Sequence, residues 1–337
     1  MSFGRMHFNL GKGWRKVWFY AGNFVQYAVP NYWFRVRLNR ILHSLPEADR
    51  VEADRRVDYY NRVAAGRGCV AQGVGTSVAD FKYPRKKKHK FVTYFFDLYK
   101  CVRYFDVRLR FAYEFGDVTE EPVVPSFVKS RRITAASEPT NAVILKLNSV
   151  RHFYFVKDKI PFAKKKDMLV SRNIVRQPQR RQLLEMYYGN PMFDIGQINS
   201  DSNGDHPEWV KPYMTIPEQL EYKFICCIEG NDVATNLKWV MSSNSLAVMP
   251  RPKYETWFME GKLIGDYHYV LINDDYSDLE EKMNYYISHP DEAEAIISHA
   301  HEYVAKFADK KVERYVSLKV VQRYFERTNQ LSHDGQA

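Results

Sequence analysis

From Ile216 onward the chain alternates short apolar runs with helical patterns, and that rhythm restricts the fold more than any other feature. IPEQLEYK (216–223) reads as a short helix and KFICCIEG (223–230) as a buried strand. NDVATNLKWVMSSN (231–244) reads as a turn and helix, and SLAVMP (245–250) and YHYVLI (267–272) as further strands. YSDLEEKMNYYIS (276–288) carries Ser277 three residues before Glu280, the spacing of a capping box. His289-Pro290 opens a helix with Ala293, Ile296, Ile297, Ala300, Val304 and Phe307 on one side, and 311–327 forms another amphipathic helix. Strands alternating with helices predict an α/β fold with a parallel sheet and Rossmann-like packing.

Upstream, a helical pattern covers about 46–65, and Gly66, Gly68, Gly73 and Gly75 predict a turn over 66–77. FVTYFFDLY (91–99) mixes β-branched and aromatic residues and reads as a strand or buried edge. RLRFAYEFGDV (108–118) alternates and stops at Gly116-Asp117, which puts Asp117 at the carboxyl end of a strand. NAVILKLN (141–148) is another strand, 151–173 reads as loop, basic patch and strand, and RQLLEMYY (181–188) as a short helix closed by Gly189. The polar segment 200–217, with its Pro and Gly residues, is the expected hinge. The chain therefore divides into an arm (1–45), a first domain (46–199), a second domain (200–305) and a terminal helix and tail (306–337).

Composition narrows the partners. The 337 residues are 45% hydrophobic and 27% charged, which excludes wholesale disorder. Lys plus Arg is 50 against 40 Asp plus Glu, so the net charge of +10 favours an anionic partner: nucleic acid, an acidic membrane face or a phosphorylated substrate. No recognised nucleic-acid motif accompanies the charge, and nucleic acid is not expected. No run reaches the roughly 18 apolar residues of a membrane span, and no secretory cleavage site follows the start. Four cysteines without CxxC, and no HExxH, give neither a disulfide framework nor a zinc signature, so a cytosolic protein without a metal site is expected.

The arm is distinctive. No acidic residue precedes Glu47, while Arg5, Lys12, Arg15, Lys16, Arg35, Arg37 and Arg40 are interleaved with Trp14, Trp18, Phe19, Tyr20, Trp33 and Phe34. Either the segment lies on an anionic bilayer, such as the inner face of a bacterial inner membrane, or it is a helical arm whose aromatics pack on its own domain. The run PRKKKHK (84–90) is either solvated loop charge or a contact to lipid or a phosphorylated acceptor.

In open α/β sheets ligands bind beyond the carboxyl ends of strands, beside helix N-termini. EGNDVATNLKWVMSSNS (229–245) places a strand end, a Gly turn and a polar helix start in that order, with Lys238 one turn further in. The start either receives an anion or is simply capped by Asn231, Asp232 or Thr235.

The segment YKFICCIEGNDVATNLKWVMSSNSLAVMP, followed by KYETWFMEGKLIGDYHYVLINDDYSDLEEK, resembles the C-terminal half of glycosyltransferase family 90. FGDVTEEPVVPSFVKSR (115–131), LKLNSVRHFYFVKDKIPFAKKK (145–166) and RQPQRRQLLEMYYGNPMFDIGQIN (176–199) extend the resemblance over roughly 90–325, closest to the bacterial lipopolysaccharide subgroup. The resemblance implies two Rossmann-like domains facing a central cleft in a GT-B-like architecture. It also implies metal-independent, inverting transfer from a nucleotide sugar, UDP-linked, to a lipopolysaccharide or related surface glycan, with no cofactor. The acceptor side would lie in the first domain and the donor side in the second.

Inversion by direct displacement needs a carboxylate to take the proton of the attacking hydroxyl while charge builds on the departing diphosphate. Asp117 matches the family's acidic position for this base; on spacing alone it is a turn aspartate. Arg172 and Arg180 match the family's donor-binding arginines, the alternative being solvated surface charge or an ion pair, and Gly230, with Asn231 and Asp232 beside it, matches the loop that approaches the diphosphate. Many relatives have Arg near Asn236 and Gly at Asn173, which shifts weight to Lys238 and Arg172. Glu255 is either an acceptor for ribose hydroxyls or a helix-start carboxylate. The rival readings are a non-catalytic basic binding protein and a catalytically inactive sugar- or membrane-binding relative.

Overall fold

The computed structural model describes residues 3–65, 74–84, 91–200 and 206–331, with side chains from Trp14 onward. Gly66, Gly68, Gly73 and Cys69, the basic run over 85–90, the 201–205 part of the expected hinge and the tail 332–337 lie outside the described residues. In chain order the first elements are α1 (Phe3–Ala28), α2 (Tyr32–Arg35), α3 (Leu38–Leu42), α4 (Glu47–Tyr60), β1 (Thr76–Ser77) and α5 (Val92–Val102). Next come β2 (Arg110–Glu114), β3 (Ser126–Val128), β4 (Ser130–Arg132), β5 (Ala142–Ile144) and α6 (Ser149–His152). They are followed by β6 (Lys166–Asn173), α7 (Pro178–Tyr187), β7 (Phe193–Gln197), α8 (Ile216–Gln219), β8 (Tyr222–Cys226), α9 (Leu237–Val240) and β9 (Leu246–Met249). The last are β10 (Tyr254–Thr256), β11 (Val270–Leu271), α10 (Leu279–Ser288), α11 (Pro290–Ala305) and α12 (Lys310–Arg327).

The chain forms two compact units. The first contains Met1–Val17, Arg151–Pro252 and Gly261–Lys306; the second contains Trp18–Val150, Lys253–Glu260 and Phe307–Ala337. This division corrects the expected boundary at 200. Strand β6 pairs in parallel with both β7 and β8, so strands on either side of that boundary share one sheet and the 206–217 segment runs within a single unit. The terminal helix α12 is likewise no separate appendage but part of the second unit.

The first unit carries a five-stranded sheet of order β11-β9-β8-β6-β7, parallel throughout. A parallel sheet covered by helices needs strands that are apolar along their length, and every residue of β8 and β9 is buried. Leu183 and Leu184 of α7, Leu279 and Met283 of α10, and Ala293 and Ile296 of α11 join Leu169, Phe224 and Val248 in its core. Pro178 opens α7, where its missing N–H costs nothing, and Gly189 takes a positive φ of 91° just past the helix end.

The second unit has a four-stranded sheet, β1-β2-β3-β5, antiparallel only at β1, and a β4–β10 antiparallel ribbon. Tyr60 of α4 stacks on Trp257 with centroids 4.1 Å apart, and Trp257 Nε1 donates to Glu313 of α12 at 2.8 Å. Arg56 and Lys146 also donate to Glu313, both at 2.6 Å, which ties α4, α12 and the segment after β5 together.

Two local expectations fail. FVTYFFDLY is helical, not a strand: Val92, Phe95, Phe96, Tyr99 and Val102 recur at helical spacing, and nearly every side chain of α5 is buried, several against Phe19, Phe24 and Tyr27 of α1. The nine residues 91–99 are too short, and too rich in β-branched and aromatic residues, for that period to outweigh the strand pattern in the sequence. The capping box at Ser277 does not form, because Ser277 Oγ donates to Asp275 Oδ1 at 2.7 Å and Asp278 takes the position before α10. No helix among the described residues is long and apolar enough to cross a membrane.

Candidate active site

In the first unit the carboxyl ends of β6 and β8 lie side by side. β6 runs out through Ile174 and Gln177 into α7, and β8 runs out through Ile228 and Glu229 to Gly230. The first turn of α7 is stitched to that second loop. Gln177 Nε2 donates to Asn231 Oδ1 at 3.0 Å, and Gln179 Nε2 donates to the Gly230 carbonyl at 2.9 Å. Tyr276 Oη donates to the Gln179 carbonyl at 2.9 Å from the far side. Gln177 Oε1 is buried and accepts no hydrogen bond among the described residues, an orphaned acceptor of the kind folded proteins seldom leave.

Arg180 is the centre of this cluster. Nε donates to the Glu229 carbonyl at 3.2 Å, Nη2 to Ile228 at 3.2 Å and Nη1 to Ile174 at 3.0 Å. All these partners are backbone carbonyls; among the described residues no carboxylate forms an ion pair with the guanidinium. Burial lowers its pKa, with Cys226, Tyr276 and Asp232 opposing, yet an arginine keeps its proton in proteins. A half-buried cation held only by neutral dipoles retains a strong attraction for an anion. A Cβ on Gly230 would stand 3.0 Å from Arg180 Nη2, so only glycine leaves the guanidinium this position without displacement.

The other expected donor residues fall in different places. Arg172 stands at the carboxyl end of β6, but Nη2 pairs with Asp194 Oδ1 at 2.6 Å and Nη1 donates to the Asp194 carbonyl at 2.6 Å and to Ser171 at 2.9 Å. Its side chain is 6% exposed. The Asp194 carboxyl would rise on burial, but hydrogen bonds from Tyr222, Arg172 and Lys211 outweigh that and bring it down to about 2. The structure thus gives Arg172 an internal partner. Lys238 is fully buried, 6.0 Å from the Phe153 ring, and the turn and helix expected over 231–244 contains one helical turn, α9, in which it lies. Asn236 Nδ2 donates to the Cys226 carbonyl at 2.9 Å and so closes the end of β8. Asp232 is buried, Asn231 is exposed, and the Asp232 carbonyl accepts from Gly230 N at 2.9 Å.

Asp117 and Glu255 belong to the second unit. Asp117 follows β2 and Gly116, whose φ of 115° turns the chain sharply. Its side chain is 41% exposed, and Lys129 Nζ pairs with Oδ1 at 2.7 Å. Glu255 lies on β10 opposite Arg131 of β4, 2% exposed, and accepts from Arg131 Nε at 2.9 Å and from Tyr59 Oη. It is a strand carboxylate rather than a helix-start one, and its charge is matched inside the same unit. Sequence reasoning missed Gln177, Gln179 and Lys129. The glutamines were within reach, since Pro178 after a strand end marks a helix start and places both beside it; nothing in FVKSR marks Lys129 as buried.

Two comparisons bear on this geometry. Residues 148–330 match the model for glycosyl transferase family 90. The chain is also 40% identical over 315 residues to the O-glucosyltransferase LpsA of Dichelobacter nodosus, covering 93% of this chain and 96% of that one.

Proposed function

The chain belongs to glycosyltransferase family 90, and on that premise we propose that it transfers a glucosyl group from a UDP-linked donor to a hydroxyl of a lipopolysaccharide or related glycan. The relative's name supplies the glucosyl group and the oxygen acceptor; the family resemblance supplies UDP, inversion and a GT-B-like pair of Rossmann-like domains. The observation that carries the reading is Arg180, a charged guanidinium bonded only to carbonyls beside a glycine that leaves room for it.

In this reading Arg180 and the 229–231 loop hold the diphosphate. Asp117 accepts the proton of the acceptor hydroxyl, the acceptor oxygen forms a bond to the anomeric carbon, and the bond from that carbon to the β-phosphate oxygen breaks. UDP departs with the electron pair and the sugar configuration inverts. The negative charge that builds on the diphosphate is met by Arg180 rather than by a metal ion. Turnover assays of the purified protein with a panel of UDP-sugars and a lipopolysaccharide-derived acceptor test the proposal. Transfer or donor hydrolysis with UDP-glucose is expected. Binding of UDP-sugars without either reaction would favour the inactive-relative reading, and no binding of any of them would overturn the proposal.

A further inference from the structure

From Trp14 to its end, helix α1 turns one side toward its own unit. Phe19, Asn23, Phe24 and Tyr27 turn toward α5 and its neighbours, where Phe24 meets Phe96 at 5.0 Å and Tyr27 meets Tyr99 at 5.0 Å between ring centroids. On the opposite side helical spacing lines up Trp14, Trp18, Ala21 and Val25, all exposed, with Trp18 at 71% and Val25 at 70%. Past the helix end Val29, Tyr32, Trp33 and Val36 are exposed as well. Large apolar side chains exposed together on one helix side mark a contact face.

The charges around it identify the occupant. Arg37 and Arg40 are exposed just past α2, and the chain contains no acidic residue before Glu47. A second copy would bring cations against cations. An anionic bilayer matches both halves of the pattern: Trp and Tyr settle at headgroup depth, aliphatic side chains reach the acyl boundary, and Lys and Arg meet the acidic headgroups. We propose that the exposed side of α1, with α2, is a membrane-docking surface for anionic lipid. The proposal does not depend on the reaction assigned above, because its readout is lipid binding.

Co-sedimentation of the full chain with phosphatidylcholine vesicles containing about one third phosphatidylglycerol tests it. The wild type should pellet with these vesicles, pellet weakly with pure phosphatidylcholine, and lose binding as salt rises. A Trp18→Glu, Trp33→Glu double variant should bind at least about tenfold more weakly while keeping the wild-type circular dichroism spectrum and melting curve. Three results would overturn the proposal: wild type that stays in the supernatant, a folded variant that binds as tightly as wild type, or a lipid-free dimer of the wild type that the variant dissolves.

Discussion

Lys129 Nζ lies 2.7 Å from Asp117 Oδ1, with the lysine buried between β3 and β4 and the aspartate at the surface beyond β2. A buried ammonium without an opposing charge is costly, so the pair both satisfies Lys129 and fixes Asp117 after the Gly116 turn. If Asp117 is the general base, Asp117→Asn lowers turnover by about 10²–10⁴-fold and leaves UDP affinity, measured by calorimetry, near wild type. Full activity in that variant removes Asp117 from the mechanism. Lys129→Met removes this ion pair from the carboxylate and should lower kcat by less, with the donor KM unchanged.

Arg180 makes its own prediction. Hydrogen bonds to a charged group contribute about 1.5–3 kcal/mol, so Arg180→Gln should weaken UDP binding by about one to two orders of magnitude. UDP should raise the melting temperature of the wild type and fail to do so for the variant. Equal thermal shifts in the two proteins would separate Arg180 from the diphosphate.

Gly230→Ala probes the same contact from the loop. The added methyl would press on Arg180 Nη2 at 3.0 Å, and the flexible end of the guanidinium is what must yield. The fold should survive, and UDP affinity should fall several-fold through displacement of the cation, an effect absent when Arg180 is already Gln. An affinity unchanged by Gly230→Ala argues that the guanidinium position is not set by this loop.

Much of the first unit was legible because its elements are long or sharply patterned. The runs that became β6, β8 and β9, and the helices α7, α10 and α11, follow from apolar period, with Pro290 marking the start of α11. What was hidden depends on pairing across the chain. Arg172 read either as a donor-binding cation or as surface charge or an ion pair, because the parallel register that sets β6 beside β7, and so brings Asp194 to its guanidinium, is not written in local spacing. Glu255 sits amid first-unit sequence, and only the β4–β10 pairing assigns it to the second unit. Strand β11 shrank to two residues of YHYVLI for the same reason: propensity offers a strand, and the neighbour decides its length.

Asp194 gives the pH dependence. Its carboxyl in the folded protein sits at about 2, below the ordinary value near 3.9 of an unfolded chain. The unfolded state therefore takes up the proton first, and the stability this group contributes is complete above about pH 4 and lost as pH falls through about 2. Asp194→Asn should destabilise the protein at neutral pH, and the difference from wild type should shrink across that acid window in urea titrations. A cost that stays constant from pH 7 to about pH 2.5 would mean that Asp194 acts by packing rather than by charge.

Glu255 separates two roles that a sequence alone confuses. A carboxylate that receives ribose hydroxyls contributes to donor affinity and little to folding. A carboxylate that neutralises Arg131 inside β4–β10, where the guanidinium also donates to the carbonyls of Tyr59, Tyr60 and Ala142, contributes to folding first. Removing one partner of a buried ion pair costs about 3–5 kcal/mol. Glu255→Gln should therefore shift the urea midpoint strongly downward, while the folded fraction binds UDP as the wild type does. Tyr59→Phe, which removes a second hydrogen bond to the same carboxylate, should destabilise in the same direction by less. The reverse pattern, an intact urea midpoint with weakened binding of UDP but not of pyrophosphate, would restore the ribose role and show that the pair with Arg131 opens when the donor binds.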